Sequence, residues 1–308
     1  MNTPKMIMMV GLPGSGKSHK AEELSKKYDA TIFSSDALRE EMFNDVNCQD
    51  KNADVFNELH KRIKEHLKSG NSAIMDATNI SYKKRMDFLQ SLNKIPCEKH
   101  CVFMAVPYEE CLKRNQLRER KVPEEVIKKM YLSFNVPYWY EGWDNIIVEY
   151  ADGSENSFDT PSEWLDSVMD FDQDNPHHTL TLGGHCLGAL NKLVDLVDSS
   201  RERNIPELVV ATLIHDNGKV FSKGYVNSYG SPCRTAHYYN HQFCGAYDSL
   251  FFDCEVDKLY VAQLIQWHMH PYLSWAQSQK SLNKGKKLLG KELFDDIMIL
   301  HQADKAAH

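Results

Sequence analysis

Residues 6–18, M-I-M-M-V-G-L-P-G-S-G-K-S, limit the possible folds more than any other stretch. Met6 to Val10 is a short apolar run of strand type, Gly11 to Ser18 follows G-x-x-x-x-G-K-S, and His19 to Lys27 favours a helix. Strand, glycine-rich loop and helix in that order are the context a phosphate-binding loop requires. Gly11, Gly14 and Gly16 let backbone N–H groups, Ser15 among them, converge on an anion. The helix adds the positive end of its dipole. In such a loop Lys17 reaches the β- and γ-phosphates of ATP and Ser18 ligates Mg²⁺.

The charge is unevenly spread, and this sets the expected domain boundaries. The net charge is −7, yet residues 1–150 carry 23 basic and 22 acidic side chains, residues 151–174 carry 8 acidic and none basic, and residues 175–308 hold 13 of each. The acidic stretch reads as a linker with one short helix begun at Thr160-Pro161. The expected organisation is a domain over 1–151, a linker over 152–174 and a second domain over 175–308, each domain of ordinary size. At 42% hydrophobic and 26% charged residues, a packed core is feasible. No apolar run approaches the roughly 20 residues of a membrane span, and no secretory leader is evident. Eight cysteines occur without a C-x-x-C pair, as expected of reduced thiols in a cytoplasmic protein with no membrane partner.

In the first half, short apolar strands alternate with helical stretches. Strands are expected at Thr31 to Ser34, Ser72 to Met75, His100 to Val106 and Asn145 to Val148, and helices at Glu58 to Lys68, Tyr82 to Leu92, Glu109 to Glu119 and Glu124 to Phe134. This alternation implies an α/β domain with a parallel sheet flanked by helices. Its ligands would sit at the carboxyl ends of the strands. Asp36 follows one strand and serves either as an ordinary helix-opening residue or as a general base taking a hydroxyl proton. Arg39, one turn later, shares its face and could clamp an acceptor phosphate. Asp76, in D-A-T-N after the next strand, can hold the Mg²⁺ shell, whereas Thr78 and Asn79 could simply satisfy a turn. The basic run Lys113, Arg114, Arg118, Arg120, Lys121, Lys128 and Lys129, broken by Val122-Pro123, suits a mobile cover whose arginine stabilises transferring phosphate.

These motifs in order, G-L-P-G-S-G-K-S, S-S-D-A-L-R, D-A-T-N and R-N-Q-L-R-E-R-K-V-P, resemble the kinase domain of bacteriophage-type polynucleotide 5′-hydroxyl kinases. The resemblance spans residues 5 to about 148 and implies that the phosphate loop binds ATP and that Asp36 is the general base. It also implies that Arg39 contacts the acceptor's phosphate and that a lid arginine clamps the triphosphate. Arg118 is the match in the lid, with Arg120 competing.

The second half is expected to be all-α, with helices at Gly183 to Val197, Pro206 to His215, His237 to Phe252, Val256 to His268 and Glu292 to His308. His185, the pair His215-Asp216, His241, His268 and Asp304 each lie at or near the end of an apolar helical run. A bundle can gather such side chains at one point, and imidazole plus carboxylate suits first-row divalent metals. The order H…HD…H…H…D, with H-D-N-G-K at 215–219, resembles the HD phosphohydrolase superfamily. That resemblance implies one metal on His185, His215, Asp216 and Asp304 and a second on His241, His268 and the bridging Asp216, one or two divalent transition ions such as Mn²⁺. His270 and His237 compete with His268 and His241. Lys219 could steady a phosphate, and His177 and His178 fit a helix entrance or pocket wall.

The pairing resembles the HD-containing polynucleotide kinases. It implies repair of nucleic-acid ends, RNA rather than DNA: phosphorylation of a 5′-hydroxyl and removal of a 3′-phosphate or 2′,3′-cyclic phosphate, with a nucleic-acid ligase as partner. The alternative is a small-molecule or nucleoside kinase joined to an HD nucleotide phosphohydrolase or regulatory module.

Overall fold

The structure, a computed structural model, describes residues 3–46, 48, 50–151, 153–176, 179–197 and 204–307. It divides the chain into two compact units, Met1–Ile127 with Pro137–Ala151, and Lys128–Val136 with Asp152–His308. Among the described residues no helix is long and apolar enough to cross a membrane.

The first unit runs β1 (Lys5–Val10), α1 (Lys17–Tyr28), β2 (Ala30–Ser34), α2 (Ser35–Phe43), α3 (Asn52–Lys68), β3 (Ser72–Asp76), α4 (Tyr82–Ser91), β4 (Glu98–Ala105) and α5 (Tyr108–Gln116). Then come α6 (Glu124–Tyr131), whose last four residues count with the second unit, and β5 (Asn145–Tyr150). The five strands are parallel in the order β2-β3-β1-β4-β5. Central β1 is buried from Met6 to Val10, as a strand covered on both faces must be. Ile7, Met9, Ile74 and Val102 pack with Ala21 and Leu24 of α1. The register pairs Ser34 with Asp76, so the segments after β2 and β3 emerge at one edge of the sheet.

Several helix ends differ from the sequence expectation, α6 stopping at Tyr131 rather than Phe134 among them. α3 starts at Asn52, well before Glu58, because Val55, Leu59, Ile63 and Leu67 continue one buried stripe. α5 stops at Gln116 rather than Glu119. The Asn115 amide turns the chain there, donating to the Val122 carbonyl at 2.8 Å and accepting from the Val122 N–H at 3.0 Å.

The second unit holds α7 (Pro161–Ser167), α8 (Leu182–Leu196), α9 (Ile205–Ile214), α10 (Lys219–Ser222), β6 (Gly224–Val226), β7 (Pro232–His237), α11 (His241–Asp248), α12 (Lys258–Trp267), α13 (His270–Leu273), α14 (Gln279–Leu289) and α15 (Lys291–Ala306). α8, α9, α12 and α15 pack against one another, and α11 packs on α12. The acidic stretch carries the expected short helix. Thr160 and Glu163 form a reciprocal capping box at the start of α7, and Val168 packs on Leu182 and Cys186 of α8. Residues 128–136 also belong here: the Tyr131 ring meets Phe221 and Tyr247, and its hydroxyl donates to Asp248 at 2.5 Å.

An all-α second half is corrected by the antiparallel pair β6–β7. Asn227 builds its turn, its side-chain oxygen accepting from the N–H of Tyr229 at 3.0 Å and of Ser231 at 2.9 Å. The strands are three and six residues long, too short to show a period. The hairpin also displaces the start of α11 from His237 to His241.

Candidate active sites

In the first unit the chain leaves β1 at Val10 and enters α1 at Lys17. At Gly14, φ is +86° and a Cβ would lie 2.4 Å from the Cys111 carbonyl oxygen, so only glycine fits. Lys17 is buried, and its ammonium donates to the Leu12 carbonyl at 2.7 Å. Burial lowers its pKa to about 8 against the opposing pull of Asp76. Ser18 Oγ donates to Asp76 Oδ2 at 2.7 Å. A loop serine beside a strand-end aspartate is the oxygen pair that suits Mg²⁺ in this type of loop.

Asp36 lies in the first turn of α2, and the cap itself is Ser34, whose hydroxyl accepts from the Ala37 N–H. The Asp36 carboxylate stands between two arginines. Arg39 Nη1 donates to Oδ1 at 2.7 Å and Arg120 Nη1 to Oδ2 at 2.5 Å. Arg39 is buried, is fixed by Asn52 at 2.7 Å, and keeps a buried Nε with no hydrogen-bond partner among the described residues. Arg118 lies near enough for its charge to oppose that of Lys17. Of the two competing arginines, Arg120 is the one that bonds Asp36.

The D-A-T-N loop is held structurally. Asn79, at φ +48°, donates to the Met9 carbonyl at 2.7 Å, and Gly11 N–H donates to the Thr78 carbonyl at 3.1 Å. Beneath it, buried Arg85 reaches the Asn79 carbonyl at 2.8 Å and grips Glu141 through Nε at 2.7 Å and Nη2 at 2.6 Å. Tyr138 and Trp143 are buried around this pair, whereas Trp139 and Tyr140 are exposed.

In the second unit, five helices deliver side chains to one buried point. His185 lies on α8, His215 caps α9 with Asp216 next, His241 opens α11, His268 caps α12 and Asp304 lies on α15. Two donor sets result, His185, His215 and Asp304, and Asp216, His241 and His268; within each, the donor atoms lie within 4.8 Å of one another. The two oxygens of Asp216 face different sets. Oδ2 lies 3.6 Å from His185 and 3.5 Å from His215, while Oδ1 lies 3.2 Å from His241 and 3.7 Å from His268. His237 instead stacks on Tyr239, and His270 packs on Trp267. His177 and His178 lie outside the described residues.

The imidazoles test whether a cation fits. His241 and His268 approach backbone carbonyls through Nδ1, Tyr238 at 2.8 Å and Ile265 at 2.6 Å. That contact assigns the proton to Nδ1 and leaves each Nε2 with a lone pair. The two Nε2 atoms are nevertheless 3.2 Å apart. Facing lone pairs repel, and a shared cation relieves the repulsion, so the donor set fits a divalent metal. Burial, reinforced by His241 and His215, lowers the His268 pKa to about 3. Burial also opposes charge on His215, but Asp216 and Asp304 outweigh it and raise its pKa to about 9. Burial would raise Asp216, but Lys219, His215 and His241 hold it well below the usual carboxylate range.

Gly218 lets the turn after Asp216 touch α11, since a Cβ there would lie 2.1 Å from the His241 carbonyl oxygen. Lys219 is buried and bonds both Asp216 Oδ2 at 2.7 Å and Gln173 Oε1 at 2.8 Å. Gln173 and the Arg85–Glu141 pair were not found by sequence reasoning, and no local pattern signals them.

Known proteins resemble part of the chain. A family model described as an AAA domain matches residues 6–137. The L-seryl-tRNA(Sec) kinase of Methanococcus maripaludis is 32% identical over 144 residues, which are 45% of this chain and 56% of that protein, so the chain spans about half the length of this curated relative. Among solved structures, the Pnkp1/Rnl/Hen1 RNA repair complex is similar at 24% identity and TM-score 0.38, over 42% of this chain and 43% of that one. A gluconokinase from Sinorhizobium meliloti is similar at 15% identity and TM-score 0.37, over 49% and 84%.

Proposed function

We propose that the chain heals nucleic-acid ends, preferring RNA, with a 5′-hydroxyl kinase in its first unit and a metal-dependent phosphohydrolase in its second. In the kinase, the 5′ oxygen attacks the γ-phosphorus of ATP, the bond to the β–γ bridging oxygen breaks, the hydroxyl proton passes to Asp36, and ADP leaves. Arg39, held by Asp36 through Nη1 and by Asn52 through Nη2, supplies positive charge toward a phosphate of the acceptor. Lys17 and Arg118 face the charge of the triphosphate. Ser18 and Asp76 would hold Mg²⁺, which would supply charge neutralisation to the phosphates.

In the hydrolase, His185, His215, Asp216 and Asp304 would hold one divalent metal, and Asp216, His241 and His268 a second. When bound, the metals supply an activated water and polarise the phosphoryl group of a 3′-phosphate or 2′,3′-cyclic end. The protein's part is orientation: backbone carbonyls fix the imidazoles of His215, His241 and His268, and Lys219 offsets the charge of Asp216. The observation that carries the pairing is Asp216, whose two oxygens face two donor sets, in a chain that also holds a phosphate loop beside an arginine-flanked aspartate.

The test supplies ATP, Mg²⁺ and Mn²⁺ with an RNA bearing 5′-hydroxyl and 2′,3′-cyclic ends and weighs both termini by mass spectrometry. A gain of phosphate at the 5′ end and its loss at the 3′ end is expected; two unaltered ends reject the reading. The second reading takes its acceptor from the relative named for seryl-tRNA, in which the hydroxyl belongs to an aminoacyl group on tRNA. Phosphorylation of seryl-tRNA in place of the oligonucleotide would select it. A ligase acting on the healed ends is the expected partner.

A further inference from the structure

Lys219 brings a positive charge to the buried donor cluster, and its partners do not use that charge up. Lys219 is 4% exposed and Gln173 is 1% exposed. The ammonium donates to Asp216 Oδ2 at 2.7 Å and to Gln173 Oε1 at 2.8 Å. An ammonium has three N–H donors, so these two contacts leave a third. The Tyr238 ring, its centre 5.5 Å from the ammonium, offers a face rather than a counter-charge. Once Asp216 serves cations, its own charge is spent on them, and Gln173 is an uncharged acceptor. The ammonium then keeps its charge for an anionic phosphoryl oxygen. A carboxylate in place of the Gln173 amide would cancel it.

The Gln173 amide is fixed at both ends. Its Nε2 donates to the Leu180 carbonyl at 3.0 Å, which assigns oxygen to the end that meets the ammonium. The backbone around it is clamped by the β6–β7 hairpin and its flanks. Lys223 donates to the Asp172 carbonyl at 2.7 Å, the Tyr238 hydroxyl to the Gln173 carbonyl, and the Ala236 N–H to the Asp174 carbonyl at 2.8 Å. Three consecutive carbonyls are thus held from the hairpin. Asp174 sits at φ +45°, a left-handed conformation that costs a residue with a Cβ. A plain linker needs none of this, whereas a side chain that must hold a charge at one point does.

We propose that Gln173 is a positioning residue of the second unit, holding the Lys219 ammonium so that its remaining N–H meets a phosphate bound beside Asp216. This role rests on the hydrolase reading and deepens it. The test is calorimetric titration of inorganic phosphate into Mn²⁺-loaded full-length protein. Gln173→Met keeps the length of the side chain and removes the acceptor. It should weaken phosphate binding about tenfold and leave the Mn²⁺ content unchanged. Lys219→Met should weaken binding at least as much. Adding Gln173→Met to Lys219→Met should cost nothing further, because Gln173 acts through Lys219. Unchanged phosphate affinity in Gln173→Met, or a second tenfold loss in the double variant, overturns this role. So does loss of Mn²⁺ in Gln173→Met, which would mark the residue as structural. A wild type that binds phosphate in this pattern but leaves 3′-phosphate and 2′,3′-cyclic ends intact rejects the hydrolase reading and keeps the role of Gln173. A wild type that binds no phosphate rejects both.

Discussion

The two units assemble phosphate chemistry from opposite materials. In the first, the anion cradle is backbone, bent by glycines over a few consecutive residues, and Asp36 is about half exposed, with a side-chain exposure of 48%. In the second, six ionisable side chains from five helices are buried together, with Asp216 and His268 almost fully enclosed. Backbone dipoles need no counterion to be stable in the folded state. Buried carboxylates and facing imidazole lone pairs do, so the second site should couple its metal to folding and the first should not.

Point changes give the largest test of that contrast. Asp36→Ala should cut 5′-phosphorylation by roughly 10²–10⁴-fold, as loss of a general base does, while nucleotide binding and hydrolysis persist. Asp216→Ala should remove bound metal and hydrolysis and spare the kinase, read as metal content beside both activities. If either change abolishes both reactions, the units do not work separately.

The stability of the two units should respond to different insults. Arg85→Ala leaves Glu141 buried and uncompensated and should cost about 3–5 kcal/mol in the first unit by denaturant unfolding. A chelator should lower the thermal transition of the second unit and leave that of the first in place. A chelator-insensitive second transition would break the comparison.

Between about pH 8 and 9 the two sites should move in opposite directions. His215, raised to about 9, must give up its proton to a metal. Metal affinity should therefore rise about tenfold per pH unit up to about pH 9, with about one proton released per binding event by calorimetry. Lys17, lowered to about 8, binds a triphosphate best when charged. ATP affinity should be level below about pH 8 and fall above it. The smallest expected effect is Thr160→Ala, which removes the α7 capping box and should cost about 1 kcal/mol in the second unit alone.

What the sequence reveals follows the same division. Gly11 to Ser18 is legible because its residues are consecutive and its geometry is local. Asp36 and Asp76 are legible because they follow strands. The Arg85–Glu141 grip joins residues 56 apart and leaves no local pattern, and the meeting of Arg120 with Asp36 depends on how the turn after Gln116 folds. In the second half the histidines stand out by type and by their places at helix ends. Their convergence depends on helix packing, and nothing near Gln173 in sequence ties it to Asp216.

The backbone crosses between the units after residues 127, 136 and 151. A gene cut at codon 151 would not yield a clean half. The amino-terminal fragment would carry Tyr131 and Phe134 stripped of Tyr247, leaving sticky aromatic surface, and the carboxy-terminal fragment would have a hole where those rings belong. Dissecting the two reactions therefore calls for inactivating substitutions in the intact polypeptide, or for supplying residues 128–136 back to the downstream piece.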